Sequence, residues 1–192
     1  MDYGEIVQRR RMVRRFLDRP VDAPSVDRIL DVARRGPSAG FTQGFEFLVL
    51  EGPEQTERYW EATFPAAERH DPEWPGILPA PLIIVPLAHK QAYLDRYAER
   101  GWVDKAEGHW PVPYWLVDTS FAALLILLTV VDEGLGAVFF GIEGIDRFRH
   151  AFGVPEAYLP IGAVVIGHPA PDDRPERRQR RPLEQIVHRG SW

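Results

Sequence analysis

The sequence predicts one mixed domain of helices and strands, residues 1–192, organised around a single buried helix. Three observations lead there. In 115–133 (WLVDTSFAALLILLTVVDE) the only polar residue between Phe121 and Val131 is Thr129. A helix apolar on every side lies in protein or in lipid. Asp118, Thr119 and Ser120 interrupt its start, Asp132 and Glu133 close its end, and the uninterrupted run is short for a bilayer. Apolar runs at 45–50 (FEFLVL), 82–87 (LIIVPL) and 159–167 (LPIGAVVIG) read as core strands. The chain has 192 residues, 45% of them hydrophobic, which suits one domain with a sizeable core. A chain of this size rarely covers every face of such a helix, so part of it is expected to pack against a second copy.

Charge and cysteine content narrow the function classes. With 23 Lys+Arg against 28 Asp+Glu the net charge is −5, which argues against nucleic acid as a partner. Cysteine is absent, which removes disulfides, thiolate nucleophiles and thiolate metal sites. His70, His89, His109, His150, His168 and His188 show no ligand spacing, there is no HExxH, and no metal site is expected. A dinucleotide-type Gly-x-Gly-x-x-Gly is missing too. The N-terminus is charged within a few residues, so a cytoplasmic protein with neither secretory signal nor membrane association is expected.

Taken in order, residues 3–11 predict a short helix with Ile6 and Val7 inward. It leads into Arg9, Arg10, Arg11, Arg14 and Arg15, five arginines in seven residues. Such a cluster is either a solvated basic face or an anion clamp, because the guanidinium fork suits phosphate oxygens. Asp22 is placed as an N-cap with Pro24 in the first turn. Val26, Ile29, Leu30 and Ala33 recur at helical spacing, and Gly36-Pro37 ends the helix. The loop 37–44 (PSAGFTQG) is small, polar and rich in backbone donors. It precedes the strand 45–50, apolar enough to be internal.

A helix is predicted over 53–63, followed by an irregular stretch, 64–79, with four prolines. In the strand 82–87, Pro86 cannot donate to a ladder, so that end should sit at an edge or a bulge. Residues 91–100 read as a polar helix. The segment 101–115, with Trp102, Trp110, Tyr114 and Trp115, reads as a lid or as a loop stapled down by its rings. After the central helix come a strand at 137–140, a glycine-bearing loop at 141–144 and a helix at 145–152. The last strand is placed at 159–167. Residues 174–181 hold five arginines, either a solvated tail or part of a clamp, and 183–192 suits an arm docking on another surface.

In this order the features resemble the nitroreductase family of flavin enzymes. Residues 10–16 (RRMVRRF) look like its N-terminal RRSVRxF. Residues 37–43 (PSAGFTQ) look like its PSAGNxQPW loop. Residues 134–137 (GLGA) followed by 141–144 (GIEG) are similar to its GLGA…GI segment. Residues 178–183 (RQRRPL) followed by Val187-His188 look like its C-terminal ending. Each is weak alone; the four together in this order are specific. The resemblance implies an α+β fold with a central, mostly antiparallel sheet flanked by helices. It also implies a homodimer with a domain-swapped C-terminal arm and FMN in the interface, touched by both chains.

The same resemblance assigns roles. Arg10, Arg14, Arg178 and Arg180 would meet the FMN phosphate, with Arg11 supplying its backbone instead and Met12 beside it. Pro37, Ser38, Ala39, Phe41 and Gln43 would line the flavin. Glu143 and Gly144 would pass close to the ring, where a backbone N–H meets the hydride-accepting atom. NAD(P)H is the implied electron donor and a nitroaromatic, quinone or other electron-poor small molecule the acceptor. The flavin carries the chemistry, so no catalytic side chain is assigned. Three residues depart from the pattern: Met12 where Ser is usual, Phe41 in place of Asn, and Gly44-Phe45 in place of Pro-Trp. They keep a second reading open, a flavin or deazaflavin binder of the same fold without NAD(P)H turnover.

Overall fold

The computed structural model describes residues 1–65, 75–101, 110–173 and 179–192. Its elements run α1 (Tyr3–Arg9), α2 (Ala23–Ala33), β1 (Phe45–Glu51), α3 (Gly52–Thr63), β2 (Leu82–His89), α4 (Lys90–Glu99), α5 (Tyr114–Asp132), β3 (Gly136–Phe140), α6 (Ile145–Phe152), β4 (Tyr158–Pro160) and β5 (Ala163–Gly167). The strands form one sheet in the order β1-β2-β5-β3, with β4 also on β2, and every strand pairing is antiparallel. The fold is α+β, with helices on both faces.

The periodicity of β2 explains the layers. Successive side chains alternate between faces. Leu82 and Ile84 join Val26 and Ile29 of α2 and Ile126 and Val130 of α5. Ile83 and Val85 join Tyr59 and Trp60 of α3 and Phe148 of α6. A strand covered on both sides has no reason to alternate in polarity, which is why 82–87 reads as a continuous apolar run. Each core side chain buried here contributes roughly 1.5–3 kcal/mol.

Several local expectations hold and others need correction. Asp22 caps α2, accepting from the Ser25 N–H at 3.0 Å, with Pro24 in the first turn. The helix at 145–152 falls at the predicted residues. α1 stops at Arg9 rather than residue 11, because the chain is drawn onto β3. There Met12 bridges Ala137, and the Val13 N–H donates to the Ala137 carbonyl at 2.9 Å. Gly136 makes that approach possible, since a Cβ would lie 2.7 Å from Val13 Cγ2.

β1 is an edge strand of the protomer's sheet, not an internal one. The run 159–167 is two strands, separated at Ile161 and Gly162. The Ile161 N–H donates to the Pro86 carbonyl at 3.1 Å. The Pro86 nitrogen faces the same side, so its missing donor falls at this break between β4 and β5.

α5 is not buried all round within the protomer. Ala122, Ile126 and Val130 are fully buried, while Phe121 and Leu124 are 43% and 47% exposed. Its 19 residues are long and apolar enough to cross a membrane on length and composition alone, so shortness does not decide the matter. The buried stripe packs against α2 and the sheet, which accounts for the apolarity of that face. Trp102 of the predicted lid lies outside the described residues; Trp110 packs edge-on against Tyr97, and Tyr114 and Trp115 open α5.

Candidate functional site

The arginine segment lies along the start of β3. Arg10 sits at the end of α1, its N–H donating to the Ile6 carbonyl. Arg10, Arg11, Met12 and Arg14 are half-buried. Arg11's guanidinium pairs with the Asp173 carboxylate, which is only 5% exposed. Asp173 also accepts from the Arg14 N–H at 3.0 Å. The Arg11 guanidinium is thereby committed to a partner. Arg15 pairs with Asp172 at 2.9 Å. Met12 contributes packing to both cores rather than a polar contact.

The loop 37–44 is held at the other end of α5. Asp118, 3% exposed, accepts from the Ala39 N–H and from the Tyr93 O–H, both at 2.8 Å. Burial and the bond to Asp118 push the Tyr93 phenol well above its ordinary range, so it stays a donor. The Ser38 hydroxyl accepts from the Gln43 N–H at 2.9 Å, which leaves its own proton to donate. The Gly40 carbonyl accepts from Arg96 at 3.3 Å and Arg100 at 3.4 Å. Gly44 lies against the Tyr93 ring, where any Cβ would collide. Pro37 and Gln43 are exposed, and Ser38 and Ala39 half-exposed.

Glu143 is exposed on the turn after β3, and Gly144 follows in a left-handed conformation, φ 62°, as the first cap of α6. From Gly136 to Phe140 the strand spans roughly 13 Å, so β3 separates the arginine segment from this turn. Arg180 lies on the exposed C-terminal segment with Leu183, Ile186 and Val187, which are 66%, 53% and 39% exposed. Arg178 lies outside the described residues.

A model of the nitroreductase family matches residues 7–168. The chain belongs to the nitroreductase family. A Thermus thermophilus relative named NADH dehydrogenase is 29% identical over 203 residues, covering 97% of this chain and 95% of its own. A Methanothermobacter thermautotrophicus protein, provisionally named NADH dehydrogenase/NAD(P)H nitroreductase, is 29% identical over 174 residues, covering 88% and 78%. Among solved structures, a nitroreductase family protein from Clostridium difficile superposes with a TM-score of 0.75 at 24% identity, covering both chains fully (100% of each).

Two groups of the predicted site residues stand apart along α5. Arg10, Arg11, Met12 and Arg14 are at the C-terminal end of α5, where Met1 pairs with Asp132 at 2.9 Å. The 37–44 loop is at the N-terminal end, on Asp118. Fourteen helical residues at 1.5 Å each put these ends about 21 Å apart. A cleft of about 570 Å³ lies away from both, between Pro20, Thr56 and Leu78. Nothing in the sequence marks Asp173 or Tyr93, and Asp118 by itself reads as a cap, a satisfied polar contact or a substrate-binding residue. An acidic residue at the head of an apolar helix is the one signal that pointed toward the loop.

Proposed function

We propose that two copies of this nitroreductase form an FMN-dependent NAD(P)H oxidoreductase. It would act on a nitroaromatic, quinone or other electron-poor small molecule. The observation that carries the reading is the separation of the two half-sites along α5. One chain's arginine segment needs a loop from elsewhere, and a second copy supplies it if the exposed Phe121–Leu124 stripe meets its equivalent.

The residues present suit the group. Arg10 and Arg14, with Arg178 and Arg180 from the C-terminal arm, are the cations for a phosphate dianion, each charge-assisted bond contributing about 1.5–3 kcal/mol. Ser38 keeps a hydroxyl proton to donate. Gly144 offers backbone without a Cβ for close approach to a flat ring. When bound, FMN would supply the hydride relay between NAD(P)H and the acceptor. This chain's part is to hold phosphate and ring at the two ends of β3 and to close the site with the neighbouring loop. The exposed apolar side chains of 183–187 give the arm a surface to dock on the partner.

Purified protein should be yellow, or become so with FMN, and bleach anaerobically on addition of NADH or NADPH. Colourless protein that ignores added FMN would overturn the reading. Bound flavin that neither nicotinamide reduces would select the second reading, a flavin or deazaflavin binder without turnover. Phe41, standing where the family's ring-contacting Asn is usual, is the observation favouring it.

A further inference from the structure

We infer that Phe41 is a specificity-determining residue: a fixed aromatic wall of the site that selects flat aromatic acceptors. The inference rests on the flavin reading above. Phe41 has φ 55°, the left-handed region, and the residue is 74% exposed. A bulky non-glycine residue there costs roughly 1–2 kcal/mol. Asn, which tolerates this conformation, would occupy the position at less cost. The ring recovers little of that cost within the protomer, since so much of it faces outward.

Its backbone is held from every side. The Phe41 N–H donates to the Ser38 carbonyl at 2.9 Å, and the Thr42 N–H and hydroxyl donate to the Ala39 carbonyl at 3.2 and 2.5 Å. Asp118 and Arg96 hold the two preceding residues. Gln43 is left-handed as well, φ 53°. A strained residue kept by an over-determined backbone, with an unburied ring on a ligand-facing loop, is placed for something outside the protomer. A fixed ring recognises another flat ring by offset or edge contact. It offers no such gain to a small acceptor without one.

The test compares wild type, Phe41→Asn and Phe41→Tyr, each loaded with FMN. The kcat/KM ratio of 4-nitrobenzoate to ferricyanide, which has no ring, should fall about three- to tenfold in Phe41→Asn and persist in Phe41→Tyr. The affinity for benzoate, read from the flavin absorbance without turnover, should weaken by the same factor. The flavin-free Phe41→Asn protein should melt about 2–4 °C higher, because the strain is relieved. An unchanged ratio and benzoate affinity in a variant that binds FMN would overturn the role of Phe41 alone. A lower melting temperature with an unchanged ratio would assign the ring to packing and also overturn it. Wild type that takes up no FMN would overturn the flavin reading and this inference together.

Discussion

The two ends of α5 hold their neighbours by opposite means. At the N-terminal end one buried carboxylate, Asp118, accepts from two neutral donors, a backbone N–H and a phenol. At the C-terminal end Glu133 and Asp132 make mainly ionic ties, with Arg28 and Asp132 exposed. Glu133 takes Arg28 Nε at 2.8 Å and the Ser25 hydroxyl at 2.9 Å, and Asp132 takes the amino terminus at 2.9 Å. Surface pairs of this kind are weak and screened by salt. The buried bonds are neither, and they fix a loop whose backbone must present Phe41 and Ser38 in one geometry. The bonds to Asp118 fix a loop, whereas those to Glu133 and Asp132 keep α2 and the amino terminus beside α5.

The comparison is sharpened most by removing the cations on the arginine side. Arg10→Ala combined with Arg14→Ala should weaken FMN binding by about 3–6 kcal/mol, roughly two to four orders of magnitude, in a fluorescence titration. Unchanged affinity would mean the phosphate sits elsewhere. Next in size is Asp118→Ala, which strands the Tyr93 hydroxyl and the Ala39 N–H. It should destabilise the protein by about 2–4 kcal/mol in urea unfolding. Asp118→Asn, whose amide oxygen still accepts, should cost less. If the alanine variant is as stable as wild type, the buried anchor is not what holds the loop.

The smallest effect belongs to the ionic end. Glu133→Gln should lower the melting temperature by no more than about 2–4 °C at low salt, and less at high salt. Arg28 and Ser25 hold the Glu133 carboxyl below its usual range. The pair's contribution is therefore complete above the unfolded glutamate value, roughly pH 4.3. It is lost as pH falls from there through the lower folded value. Wild-type stability should drop through this window more steeply than that of the glutamine variant. Parallel acid curves would show that Glu133 contributes nothing.

Much of this was legible in the chain, because the signals were local. The Asp22 cap with Pro24, the 3.6-residue spacing of Val26, Ile29 and Ala33, and the glycine-bearing loop before α6 each act within a few residues. The antiparallel sheet came with the family resemblance, not with the apolar runs. What stayed hidden depends on partners far apart in sequence. Arg11 and Asp173 are separated by 162 residues and Ala39 and Asp118 by 79, and no periodicity links either pair. Strand order is hidden for the same reason: FEFLVL looks internal, yet β1 ends the sheet. The break at Ile161–Gly162 was foreshadowed only from across the sheet, by Pro86. Of the site, the arginines and the loop could be named from sequence, but not that α5 would hold them apart.

Sedimentation velocity followed simultaneously at the protein and flavin absorbances tests the central claim most directly. If the half-sites are completed by a second copy, flavin should travel only with a species of twice 21.9 kDa. Flavin travelling stoichiometrically with a 21.9 kDa monomer would contradict the account, because one protomer would then hold the whole site.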